Sequence, residues 1–156
     1  MKWVTRQRPK TDRIACPWLI RRFIDPDAEI VYVPSEKVLA VAQEIGGHSF
    51  DSPDAEYTHR NDDNGHEQCT FETLLDDYGL KDNPALARLA KIVHAADISA
   101  DLSSDPAGPG LLAIGFGGLD VYDNDLTLLD RATFVYDALY AWCEGHVQQA
   151  VHSLSR

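Results

Sequence analysis

Three groups of side chains in this sequence have types and spacings that could do chemistry. The first is His94-x-x-Asp97, an imidazole and a carboxylate one helical turn apart. It ends a segment whose inward face reads Leu86, Ala90 and Val93, so an acid continues an apolar stripe. Burying an unpaired carboxylate is costly, and a metal, an arginine or a histidine would have to answer it. In the blander reading the helix has ended and Asp97 caps the next segment. The second group is the polar run from His59 to Gln68, with His66-Glu67 ahead of Cys69. Imidazole, carboxylate and thiolate are the usual ligands of first-row metals. The third is Asp12 to Arg22, which holds Arg13, Cys16, Arg21 and Arg22. A thiol at a helix N-terminus beside arginines has a stabilised thiolate, and the same amides and guanidinium groups bind small oxyanions. Arg21 and Arg22 point about 100° apart, so both cannot face one site. A buried Cys16, with the arginines pairing surface acids, is the structural alternative.

These groups need elements to carry them. Trp3 to Arg6 reads as a strand, followed by a helix to Phe23 or Ile24. Its start is open: Thr11 or Asp12 could be the N-cap, or Cys16 could be, with Pro17 in the first turn. Glu29 to Val33 is a second strand. Ser35 to Ile45 is a helix stopped by Gly46-Gly47. One or two short strands fall between residues 48 and 58, and 59–68 is a polar loop without periodicity. Thr70 caps a helix, and Asn83-Pro84 opens another that runs to about Ala96. Residues 99–110 form a loop, Leu111 to Leu119 a buried helix, and Asn124 or Asp125 begins a long last helix. That helix carries an apolar stripe from Leu129 to Leu154 on which Cys143 is packing. Trp18, Tyr140 and Trp142 read as core aromatics. The fold class is α+β: a small sheet of three or four short strands from the N-terminal part, packed against a predominantly helical C-terminal part. Residues 1–156 read as a single domain.

Composition excludes several classes. The chain has 156 residues, 44% hydrophobic and 25% charged, with formal net charge −11. No apolar run approaches the ~20 residues of a membrane span, and the start lacks a signal-peptide pattern. Cys16, Cys69 and Cys143 are odd in number and widely spaced, which suits free thiols in the cytoplasm. The first 24 residues carry seven basic side chains against Asp12 alone, a balance of +6, while the remaining 132 stand at −17. The basic start suits an anion site, or docking on the acidic body. The acidic remainder argues against nucleic acid as the main partner.

Two blocks, Lys2-Trp3-Val4-Thr5-Arg6 and Asp12-Arg13-Ile14-Ala15-Cys16-Pro17-Trp18-Leu19-Ile20-Arg21-Arg22-Phe23-Ile24-Asp25, resemble the opening of the C-terminal domain of the chromate-resistance ChrB family. His59, Cys69-Thr70-Phe71-Glu72, the run Leu86 to Asp97, and Tyr136-Asp137-Ala138-Leu139-Tyr140 extend the resemblance over nearly the whole chain. It implies a bacterial cytoplasmic protein linked to chromate resistance, in a family often found beside a chromate efflux pump. Full-length relatives carry a further N-terminal region to which regulation is attributed. The segment from His59 to Cys69 is longer here than the family's His-x-Gly-acid-x-Cys, with Asn61 to Gly65 inserted and Glu67 in the acid's place.

The expectation is therefore a divalent-metal domain (Fe, Mn or Zn), with metalloenzyme activity on a small anionic substrate as its fuller form. His59, His94 and Asp97 are the expected ligands, with Glu67 as fourth ligand or general base. Arg13, Arg21 or Arg22, and Cys16 would form a basic wall for the anion. The rivals are a thiol-based reductase or transferase centred on Cys16, and a non-enzymatic oxyanion sensor. A homo-oligomer is left open.

Overall fold

The computed structural model describes residues 1–154. Strand β1 (Lys2–Arg6) lies between β2 (Glu29–Val33) and β3 (His48–Ser49), all parallel, with Trp3 opposite Ile30 and His48. Parallel neighbours need crossovers, and helices supply both. The first is α1 (Asp12–Leu19), which runs on as a π-helical turn over Ile20–Ile24 that closes with Asp25 N–H donating to the Ile20 carbonyl. The second is α2 (Val38–Ile45), entered through a 3-10 turn at Ser35–Lys37. Alternation along β1 divides its two faces. Trp3 enters the main core, while Val4 packs with Val38 and Ala42 of α2 in a smaller one. Gly46 ends α2 at φ 65°, a conformation that costs glycine no steric penalty. Gly47 passes so close to β1 that a Cβ there would sit 2.6 Å from the Lys2 carbonyl oxygen.

Pro17 lies inside α1. It has no N–H to give the carbonyl four residues back, and Arg13's carbonyl instead accepts the Tyr32 hydroxyl of β2 at 2.7 Å. The proline thereby ties helix to sheet.

The helical part comprises α3 (Thr70–Asp77), α4 (Pro84–Asp97), a 3-10 segment (Ser99–Ser104), α5 (Gly108–Val121) and α6 (Asp125–Leu154). Asn83 caps α4, accepting from Ala85 and Leu86 N–H. Phe71, Leu74, Leu86, Leu89, Ile92 and Leu129 are fully buried between α1, α3, α4 and α6. The architecture is α+β, as its periodicities predict. Among the described residues no helix is long and apolar enough to cross a membrane.

Several local expectations are corrected. The run 59–68 is a hairpin of β4 (Arg60–Asn61) and β5 (Glu67–Gln68). Asp62 builds its turn by accepting from Asn64 and His66 N–H, with Gly65 at positive φ. Residues 99–104 are helical. Helix α5 is exposed over most of its length: only Gly108 and Leu111 are buried, whereas Ile114, Phe116 and Val121 face solvent. A segment apolar all round names no inward face, so its sequence could not show which side packs. Gly108 allows contact with α4, where a Cβ would meet that of Ala95 at 2.7 Å. Trp142 is exposed while Trp18 and Tyr140 are core, and the α6 stripe is solvated at Ala150 and Leu154.

Candidate metal centre

Asp12 is the first residue of α1, and its side chain is fully buried. The chain reaches it through Thr11 at φ 46°, ψ −103°, a conformation costly for a β-branched residue. One Asp12 oxygen, Oδ2, accepts Thr70 N–H at 2.7 Å. The other, Oδ1, is buried and has no hydrogen-bond partner. Native proteins rarely leave such an atom unanswered.

His59 arrives from the far side, just ahead of β4. Its Nε2 lies 2.8 Å from Asp97 Oδ2, 3.6 Å from Asp12 Oδ2 and 3.6 Å from Asp51 Oδ1. Asp97 closes α4, so its carboxylate emerges where the apolar stripe runs out. Asp51 is buried at φ 46°. Its Oδ1 accepts the Thr70 hydroxyl at 2.8 Å, and its Oδ2 faces Arg6 and Arg13 at 3.4 and 3.5 Å. Three carboxylates thus converge on one imidazole, and their charges set the titration. The Asp12 and Asp97 carboxylates, paired with the ring, raise His59 to about 11. Burial, reinforced by the Asp97 charge, pushes Asp12 well above the usual carboxylate range. A cavity of about 240 Å³ lined by Arg6, Asp51, Ser52, Pro53, Thr58 and His59 opens beside the group.

The expected ligand set is divided. His59 and Asp97 meet Asp12, with donor atoms within 4.8 Å of one another, but His94 belongs to a second group with Cys69 and Glu72. Although one helical turn apart, His94 and Asp97 do not converge on one point. His94 Nδ1 pairs with Glu72 Oε1, and its Nε2 pairs with Asp101 Oδ2 at 2.6 Å. Burial works to lower its pKa, yet the two carboxylates leave it raised. Cys69, not Thr70, is the N-cap of α3, in a capping box with Glu72, whose Oε1 accepts Cys69 N–H at 3.1 Å. Glu67 Oε1 lies 3.3 Å from His59 Nδ1, the ring nitrogen opposite the one that meets Asp12 and Asp97.

The expected basic wall is not assembled. Cys16 sits in the fifth position of α1, beyond the helix N-terminus, and burial pushes its thiol well up. A thiol inside the helix lacks the N-terminal dipole that helps to stabilise a thiolate. Arg21 Nε donates to the Ala28 carbonyl. Arg22 pairs with Asp137 at 3.0 Å and lies 4.9 Å from the Tyr140 ring centroid, which joins the end of α1 to α6. Only Arg13 of this set reaches the His59 group, where Arg6 joins it.

Sequence reading missed Asp12, Asp51, Glu72 and Asp101. Asp12 looked like a helix cap. The left-handed backbone that turns Asp51 inward has no sequence signature at an aspartate. The Cys69-x-x-Glu72 spacing was the one available signal, hidden by assigning the cap to Thr70.

Comparison with known proteins gives two findings. The family described as "ChrB, C-terminal domain" matches residues 3–143. "Protein ChrB" of Cupriavidus metallidurans is 37% identical over 139 residues, which cover 89% of this chain and 40% of that protein. The chain thus spans well under half the length of this relative. No solved structure matches.

Proposed function

The chain belongs to the ChrB C-terminal-domain family, and from that premise we propose that it is a cytoplasmic metal-binding protein serving chromate resistance. A divalent ion (Fe, Mn or Zn) is held by Asp12, His59 and Asp97. The observation that carries this reading is the orphaned, fully buried Oδ1 of Asp12 beside an imidazole and a second carboxylate. One nitrogen and two hard oxygens suit these ions and leave coordination positions open. When bound, such an ion would supply Lewis-acid chemistry.

The remaining roles fall to the chain's own groups. Glu67, on the outer nitrogen of His59, fixes the ring's tautomer and direction, as carboxylates behind metal-binding histidines do. Asp51 holds Arg6 and Arg13 at the mouth, where the guanidinium groups would receive a small oxyanion or anionic substrate. Elemental analysis of the purified chain tests the reading. Wild type should carry bound metal that Asp12→Asn and Asp97→Asn lose from this group. Equal content in all three would end it.

A further inference from the structure

We propose that Cys69, Glu72 and His94 form a second metal site, of different chemical class from the first, which takes a borderline divalent ion of the zinc type through a thiolate. This inference stands whether or not the Asp12 group binds metal.

The three donor atoms lie within 4.8 Å of one another, and Asp101 stands 2.6 Å from the far nitrogen of His94. Thiolate, imidazole and carboxylate together select zinc-like ions over the hard cations that oxygen ligands favour. The local structure favours a role for the thiol beyond capping. Ser, Thr, Asp and Asn are the strong N-caps, and Cys69 fills that position in a well-formed capping box. The cap fixes the Cys69 side chain and orients Glu72 in one stroke. His94 is then held by a carboxylate on each nitrogen, as an imidazole that supports a metal usually is on its outer side.

Of the three donors, Glu72 opens on a cavity. This cavity of about 290 Å³ between α3 and α4 is lined by Glu72, Gln68, Asp76 and Lys91 among others. Gln68, nine-tenths buried, contributes an Oε1 with no hydrogen-bond partner. Polar lining left unsatisfied in a roomy pocket points to a ligand or its water.

Cobalt(II) loading of the full chain, followed by absorption, tests the proposal. A sulfur-to-cobalt charge-transfer band should appear in wild type. It should vanish in Cys69→Ser, where serine remains a sound N-cap, and persist in Asp12→Asn and Asp97→Asn. His94→Gln keeps the thiol and should shift or abolish the band, which covers the case of an unfolded Cys69→Ser. No band in wild type, or an unchanged band in Cys69→Ser or His94→Gln, would overturn the proposal. A band that obeys these rules while Asp97→Asn retains full metal content would leave this site standing and remove the first.

Discussion

The two donor groups of this molecule are built by different routes. The Asp12 group gathers residues 12, 51, 59 and 97 from four separate segments, each aimed by its own backbone. The Cys69 group takes two of its donors from one capping box and a third from the adjacent helix. The first is oxygen-rich and strained at Thr11 and Asp51; the second contains a thiol and relies on ordinary helix-end geometry. Helix α3 joins them, since Thr70 N–H holds Asp12 while Cys69 and Glu72 serve the other group. A site assembled over long range should depend on tertiary packing, and a local one should survive its partial loss.

The largest expected effect comes from damaging the shared element. Phe71→Ala, on the fully buried face of α3, should cost about 3–5 kcal/mol, read from urea denaturation. The Asp12 group should weaken more than the Cys69 group, and equal weakening would break the comparison. Removing Asp97 by alanine substitution should lower metal affinity at its own group by more than about 100-fold, above the range for a supporting residue. Cobalt absorption from the Cys69 group should be unmoved. Glu67→Gln, which acts only through the His59 ring, should cost about 10- to 100-fold in affinity at the first group. No change in a titration with a competing chelator would sever Glu67 from it.

A smaller effect concerns pH. In chelator-treated protein, His59 keeps its proton to about 11, whereas the unfolded chain gives it up near 6.5. The folded state therefore binds more protons between those limits. The stabilisation is complete below about pH 6.5 and declines as pH rises toward 11. The raised Asp12 acts in the same direction. Urea midpoints should fall from neutral to alkaline pH, and His59→Gln should flatten that fall. Smallest of all, Phe134→Ser on the solvated side of α6 should change stability by no more than about 0.5 kcal/mol.

Much of the scaffold was legible because local rules govern it. The strand Glu29–Val33, the Asn83-Pro84 start of α4 and the Gly46 stop of α2 follow from alternation, capping and positive φ. The acid at the end of the α4 stripe was also readable, as was its pairing with His59. What failed needed three dimensions. His94 and Asp97 share a helix end yet diverge, because α3 presents Glu72 to one while α1 presents Asp12 to the other. Cys16 fitted a helix N-terminus only until Asp12 proved to open the helix. Helix α5 carried no amphipathic signal from which its exposure could be read.

Whether an ion lies between Asp12, His59 and Asp97 can be read directly. The most direct measurement is a crystal of the manganese- or zinc-loaded protein with data collected at the metal's absorption edge. An anomalous peak is expected within bonding distance of Asp12, His59 Nε2 and Asp97. A map with no peak there, with His59 Nε2 still bonded to the Asp97 carboxylate, would contradict the proposed metal site.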